Sequence, residues 1–219
     1  MNFQNAYRPN KILCVGRNYA EHVAEMGYQM PDKPLIFAKF GTSVIYDGDT
    51  IVWHADITQK VDWEGELGIV IGKPTKHISQ SQAVEHIYGY VIANDVSARD
   101  LQDSEKQWAR AKGMDTFCPL GIVVPKEHIP DPHNLRIQTF VNGEMMQNGH
   151  TGDMFFKIPF LVAYLSQTFT LEEGDLILTG TPSGVGKGMT PPRFLADGDE
   201  VKITIDSLGT LTNRCKVLA

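Results

Sequence analysis

Two acidic residues one position apart, Glu64-Gly65-Glu66, open the β-rich run 64–71. With the two-residue period of a strand, both carboxylates point to one side, Leu67, Ile69 and Ile71 point to the other, and Gly65 leaves room for close backbone approach. Like charges held so close are unfavourable unless a proton or cation is shared between them, which gives the pair a reason to bind a hard divalent ion. Asp95 ends a second apolar run, Val91-Ile92-Ala93-Asn94-Asp95, at a sheet rim, and offers a third oxygen ligand. Glu64, Glu66 and Asp95, without a Cys or His pattern, favour Mg2+ first, with Mn2+ or Ca2+ as alternatives, over zinc. Mg2+ keeps water-filled positions, which suits a substrate that chelates through oxygen. The plain alternative is a solvated outer strand face.

His22 and Glu25 lie three residues apart on a short helix, so they share a face and touch. The carboxylate can fix the imidazole tautomer, and the pair can take a proton from water. A surface ion pair is the simpler reading. The glycine-rich stretch Thr179 to Gly188 is not a phosphate loop, because Gly180 lies one residue too far from Gly186-Lys187 and Gly188 follows where Ser or Thr is needed. It reads instead as a flexible loop offering backbone N–H groups and the Thr181 hydroxyl to a substrate carboxylate, or as a structural loop. Asp153 and the turns Asp47-Gly48-Asp49 and Asp197-Gly198-Asp199 are caps and turns, and a polar helix entry accounts for His150. The other histidines have no metal spacing. Cys14, Cys118 and Cys215 are widely spaced beside apolar residues and read as reduced core thiols.

Positioning these groups requires a strand-rich frame. Strands are expected over 11–15, 35–40, 64–71, 88–95, 122–124, 175–179, 200–206 and 210–217. Residues 135–141 and 144–147 flank Asn142-Gly143, the pair that favours a two-residue hairpin turn. Asn18 is expected to cap a helix over 19–26 that Gly27 closes. A longer helix is expected over 153–167, kinked or divided at Pro159. Strands that follow one another without intervening helices argue for α+β architecture with packed or rolled antiparallel and mixed sheets.

The chain has 219 residues, 42% of them apolar, and its core needs no disulfide or structural metal. No linker, repeat or charge block divides it, so residues 1–219 are expected to form a single domain. The net charge of -6 and the lack of a basic run make nucleic acid an unexpected partner. The longest apolar run, 160–165, is far short of the ~20 residues of a membrane span. The opening MNFQNAYRPNK lacks the order of a signal peptide, so a cytoplasmic location is expected.

Five segments together resemble the fumarylacetoacetate hydrolase family across nearly the whole chain: Cys14-Val15-Gly16-Arg17-Asn18-Tyr19-Ala20-Glu21-His22, Glu64-Gly65-Glu66-Leu67, Asn94 to Gln102, Asp115 to Gly121, and Thr179 to Gly186. The resemblance implies a mixed β-sandwich or rolled β fold with a few peripheral helices, a homodimer, and a Mg2+ or Mn2+ site. By it, Glu64, Glu66 and Asp95 match metal ligands, and His22 with Glu25 matches a water-activating dyad. Lys112 matches a lysine that faces the substrate, and Arg17, Arg99, Gln102 and Thr181 match substrate contacts. An ammonium near three carboxylates would stabilise an enolate as charge develops.

The implied activity is cleavage of the C–C bond of a 1,3-dicarbonyl acid, either acylpyruvate hydrolysis or oxaloacetate decarboxylation, through an enolate that the metal stabilises. Hydrolysis needs His22 and Glu25 to activate water, whereas decarboxylation does not. The alternative is an isomerase, tautomerase or decarboxylase acting on a 2-hydroxydienedioate or oxaloacetate in aromatic-compound breakdown. A non-catalytic metal- or small-molecule-binding protein of the same fold is a further alternative. The substrate in each case is a small keto acid. Compared with longer family members, the chain lacks an N-terminal extension and has only a short connection, 103–111, between Gln102 and Lys112.

Overall fold

The structure is a computed structural model that describes residues 7–219; positions 1–6, which open the stretch read for a leader, lie outside the described residues. Every residue of strand Gly65–Ile71 is buried, because its two faces meet two different apolar clusters. Leu67, Ile69 and Ile71 pack with Ile137, Val201 and Ile203 of a second sheet and with Leu161 and Leu165 of a helix. Val70, on the other face, packs with Ile12, Cys14, Val91 and Leu178. Alternation therefore sorts residues between two interiors here, and neither face is solvated.

The large sheet has eight strands. Its path runs Leu35–Lys39, Ile12–Gly16, Leu176–Leu178, Gly65–Ile71, Ile87–Asn94, Cys118–Leu120 and Val44–Tyr46, with Val124–Pro125 beside Ile87–Asn94. Most pairs are antiparallel, but Ile12–Gly16 with Leu176–Leu178 and Val44–Tyr46 with Cys118–Leu120 are parallel. Five strands, in the order Glu144–His150, Arg136–Val141, Glu200–Ile205, Gly209–Leu218 and Thr50–His54, form the second sheet, which packs across the larger cluster. The expected hairpin is present: Asn142 and Gly143 both have positive φ, at 52° and 82°, joining Arg136–Val141 to Glu144–His150.

A third, two-stranded ladder pairs Val61–Asp62 with Ser97–Ala98. It draws together the segments that precede Glu66 and follow Asp95. Asp95 N–H donates to Glu64 O at 2.9 Å, and Glu64 N–H donates to the Asn94 side-chain oxygen at 3.0 Å.

Several local expectations fail for identifiable reasons. Asn18 does not cap its helix, which runs Ala20–Glu25 from Tyr19. Its side-chain amide instead donates to Phe156 O and Thr179 O and accepts from Phe156 N–H, tying three distant segments together. Gly27, at φ 67°, does close the helix. The longer helix is Ile158–Thr168, with Pro159 in the first turn, where no amide hydrogen is needed, so the proline starts the helix and does not kink it. Residues Thr151–Asp153 form a separate turn, and His150 Nδ1 accepts Gly152 N–H at 3.1 Å. The expected strand at 122–124 shrinks to Val124–Pro125, because Gly121 N–H turns back to Ile92 O and leaves Ile122 exposed. Cys118–Leu120, not expected as a strand, pairs instead.

All three cysteines are free and buried, as expected. Burial raises each thiol pKa. Among the described residues no helix is long and apolar enough to cross a membrane.

At Gly65 the two sheets approach each other closely. A Cβ there would run into Thr139 Oγ1 and lie 3.3 Å from both Gln147 Oε1 and Ile203 Cγ2. Gly65→Ala is therefore expected to lose about 1–3 kcal/mol by overpacking, seen as a lower urea midpoint. Unaltered stability would show that the sheets part there without cost.

Candidate active site

Glu64 and Glu66 stand on one face at the rim of the large sheet, and Asp95 follows the neighbouring strand Ile87–Asn94. The register pairs Gly65 with Asn94 and Glu66 with Ala93, which places the three acids side by side. One oxygen from each lies within 4.8 Å of the others, and all three residues are buried. The solvated-face alternative is thereby excluded.

The three carboxylates are not equivalent. Glu64 Oε2 accepts from Lys112 Nζ at 2.7 Å, and its Oε1 lies 2.7 Å from Arg99 Nη1. Burial alone would raise the Glu64 pKa, but Lys112 and then Arg99 outweigh it and hold this carboxyl below the usual range. Asp95 is gripped at both oxygens, by Lys39 Nζ at 2.5 Å and by Lys112 Nζ at 3.0 Å. Among the described residues, Glu66 receives only the Gly180 N–H, at 2.8 Å. Burial, then Asp95 and Glu64, push its pKa well above the usual range, and Lys112 offsets this only in part. The triad thus holds one carboxylate that no side chain among the described residues pairs with directly and whose charge Lys112 offsets only in part. An all-oxygen donor set with an incompletely compensated buried charge fits a hard divalent cation.

His22 lines the same cleft, and Glu25 stands behind it with Oε2 3.4 Å from His22 Nδ1. Glu25 Oε1 accepts Gly184 N–H at 2.9 Å, which fixes the carboxylate that orients the ring. Arg17, Arg99, Gln102, Lys112 and Thr181 also line the cleft. Phe37 and Trp108, in edge contact at 5.3 Å, form an apolar wall. The sequence-predicted residues therefore converge on one place, with Glu25 one layer back.

The glycine-rich loop does not present its amides to open space. Gly180 N–H goes to Glu66, Gly184 N–H to Glu25, and Gly186 and Lys187 N–H to Asp62. The Thr181 hydroxyl donates to Gly65 O and accepts from Gln147. The expectation of a flexible anion-binding loop is corrected on this geometry: the amides fasten the site's own carboxylates.

Asp62 and Lys39 did not stand out in the sequence. Asp62 is fully buried and joins Arg99 Nε at 2.8 Å to the loop. A charged residue between Val61 and Trp63, and a lysine closing the apolar strand Leu35–Lys39, were the available signals. Neither names its partner.

Fold and cleft together define the class: a strand-rich α+β protein with a buried carboxylate triad suited to a cation, in a cleft that also holds Arg17, Arg99 and Lys112. The model of the fumarylacetoacetate (FAA) hydrolase C-terminal region matches residues 11–216, and the chain belongs to the fumarylacetoacetate hydrolase family of enzymes. It is 48% identical to oxaloacetate tautomerase YisK of Bacillus subtilis (strain 168), over 94% of this chain and 70% of that protein. It is likewise 48% identical to the mitochondrial oxaloacetate tautomerase FAHD2A of Homo sapiens, over 94% of this chain and 67% of that protein. A solved fumarylpyruvate hydrolase from Pseudomonas aeruginosa, in complex with Mn2+ and pyruvate, superimposes with a TM-score of 0.87 at 30% identity, covering 96% of this chain and 91% of that one. The expected family and fold are confirmed.

Proposed function

We propose that the chain is a divalent-cation-dependent enzyme that forms and resolves the enolate of a 2-oxo acid carrying a second carbonyl at C4. Glu64, Glu66 and Asp95 would hold the cation, with Mg2+ the first choice and Mn2+ the alternative. The observation that carries this reading is the buried triad with its incompletely compensated Glu66, set beside the His22–Glu25 pair. The names of the tautomerase relatives and of the Mn2+- and pyruvate-bound hydrolase support it.

Held by Glu64, Glu66 and Asp95, the cation would supply Lewis acidity and so would make the C3 protons of the oxo acid more acidic. His22, with its tautomer set by Glu25, moves the proton at C3 when the outcome is keto–enol tautomerisation. In hydrolysis of an acylpyruvate the same imidazole takes a proton from water. Decarboxylation needs neither transfer. Lys112 and Arg99 keep positive charge where the enolate develops. Residues 1–219 act as one catalytic domain on a small keto acid, and the assembly proposed is a homodimer.

Incubation with Mg2+ and oxaloacetate, following enol content by ultraviolet absorbance and carbon dioxide release in parallel, tests this function; acetylpyruvate tests the hydrolytic branch. His22→Ala is expected to lower tautomerisation and hydrolysis by roughly 10²–10⁴-fold and decarboxylation far less. Equal losses in all three reactions would remove His22 from proton transfer. No turnover of either acid with Mg2+ or Mn2+ would defeat the proposal.

A further inference from the structure

Strand Glu144–His150 of the second sheet has one buried residue, Gln147, while its other residues are exposed or half-buried. The ladder with Arg136–Val141 slips at this point. Thr139 stands opposite Gln147 and Phe140 opposite Met145, so Met146 is an extra residue that bulges the strand. A bulge bends its strand and re-aims the side chains beside it, and bulges gather next to active sites. Here the Gln147 side chain crosses to the large sheet, where Gly65 lacks the Cβ that would stand 3.3 Å from Gln147 Oε1.

A buried amide costs stability unless its donors and acceptor are met. Gln147 Oε1 accepts the Gly65 N–H at 2.9 Å, and Nε2 donates to Thr181 Oγ1 at 2.8 Å and to Pro182 O at 2.9 Å. A backbone N–H facing one end and a backbone carbonyl facing the other fix the orientation of the amide. The Thr181 hydroxyl in turn donates to Gly65 O at 2.9 Å. Gly65, Gln147 and Thr181 therefore close a ring of three hydrogen bonds. Gly65 separates Glu64 from Glu66, and Thr181 lines the cleft with them. Thr139, opposite Gln147 in its own sheet, is buried with no hydrogen-bond partner for its hydroxyl among the described residues, so the glutamine serves the cleft loop and not its ladder neighbour.

The ring has a direction. A hydroxyl carries one proton and two lone pairs. Because Gln147 brings an N–H to Thr181 Oγ1, the hydroxyl proton cannot point at Gln147. Two destinations are left to it, Gly65 O or an oxygen of a molecule in the cleft.

We propose that Gln147 is a positioning residue for substrate binding: by donating to Thr181 Oγ1 it keeps the hydroxyl proton free for a substrate oxygen, and by accepting from Gly65 it ties that hydroxyl to the strand that carries Glu64 and Glu66. The proposal rests on the 2-oxo-acid site described above. An acceptor in place of Nε2 draws the Thr181 proton to itself and turns lone pairs towards the cleft, so a carboxylate there meets repulsion where it met a donor.

The test is a double-mutant cycle read by calorimetry, with oxalate as an unreactive stand-in for the carboxylate and 2-oxo oxygens, titrated into the full chain with Mg2+. Gln147→Glu keeps an acceptor for the Gly65 N–H and reverses the polarity towards Thr181, and it is expected to weaken oxalate binding about 10-fold. Thr181→Val removes the hydroxyl, and in that background Gln147→Glu is expected to change the affinity by less than about twofold. Gln147→Met, which fills the space with no polar group, serves the same cycle if Gln147→Glu does not fold, with a smaller loss and the same coupling expected; thermal midpoints check folding. A purely structural glutamine acts with or without the hydroxyl. Losses that multiply in the double variant, or wild-type oxalate affinity in the folded Gln147 variant, would therefore overturn the proposal. Mg2+ titrated alone reports on the cation site separately. If wild type binds Mg2+ but not oxalate, the Gln147 assignment fails and the cation site stands. If oxalate binds without need of Mg2+ and the cycle still shows coupling, the cation reading fails and the Gln147 assignment stands. Binding of neither overturns both.

Discussion

Glu66→Gln is expected to abolish metal-dependent turnover and weaken divalent-cation binding by more than about 100-fold, while making the metal-free protein more stable than wild type. Loss of an outer partner of a metal ligand typically costs ~10–100-fold, and loss of the ligand itself costs more. The opposite effect on stability follows from the incompletely compensated charge. Burial, Asp95 and Glu64 all disfavour the ionised form of Glu66, which has one backbone N–H in compensation. A neutral isostere removes that penalty, a gain on the order of 1–3 kcal/mol, or roughly 3–10 °C in midpoint for a chain of this size.

The same residue sets a pH dependence. Its folded pKa lies above its unfolded one, so the folded, metal-free chain retains a proton that the unfolded chain has released. The stabilisation is fully present below the unfolded pKa and is lost as pH rises through the raised folded value. Cation binding needs the carboxylate, so it releases this proton, and apparent affinity rises with pH by up to about tenfold per unit below the raised pKa. Calorimetry in buffers of different ionisation enthalpy measures the proton released. A Glu66→Gln variant that binds Mg2+ like wild type, or is less stable without it, would contradict the assignment of the ligand and the charge balance together.

Asp62→Ala is expected to be the most destabilising of the polar substitutions near the site. Asp62 accepts from Arg99 Nε, from Trp63 N–H, and from the N–H groups of Gly186 and Lys187, all while fully buried. Removing one partner of a buried pair costs about 3–5 kcal/mol, and here three amide donors are orphaned as well. Denaturant unfolding should show the loss, roughly 6–20 °C in midpoint, and amide exchange at Gly184, Gly186 and Lys187 should quicken. Oxalate affinity should fall alongside, because Arg99 loses its anchor. A loss below about 1 kcal/mol would mean that the loop and Arg99 are held by something other than Asp62.

Much of the triad is legible in the sequence because strand alternation is local. Glu64 and Glu66 share a face by parity alone, and the close approach at Gly65 follows from the lack of a side chain there. His22 and Glu25 are legible for the same reason, since three residues on a helix bring them into contact. What the sequence conceals is partnership over long separations. Lys39 and Asp95 are 56 positions apart, and nothing near either predicts that an ammonium will grip that carboxylate. Asn18 has the composition of a helix cap, but Phe156 and Thr179 offer its amide a fully buried set of partners and win. The glycine-rich loop looks like a ligand cradle because glycine frees backbone amides, yet the acceptors that claim them, Glu66, Glu25 and Asp62, come from elsewhere in the chain.

Lys112 spans Glu64 and Asp95 from within the triad. Its ammonium is kept charged because those two acids outweigh the burial that opposes it. The protein therefore carries a resident counterion within the triad, and the metal-free chain is expected to stay folded, unlike small domains whose structure is assembled around zinc. If the proposed cation dependence holds, chelation is expected to yield an intact, dormant protein that regains function on remetallation, and scarcity of the ion would act as a reversible brake on activity.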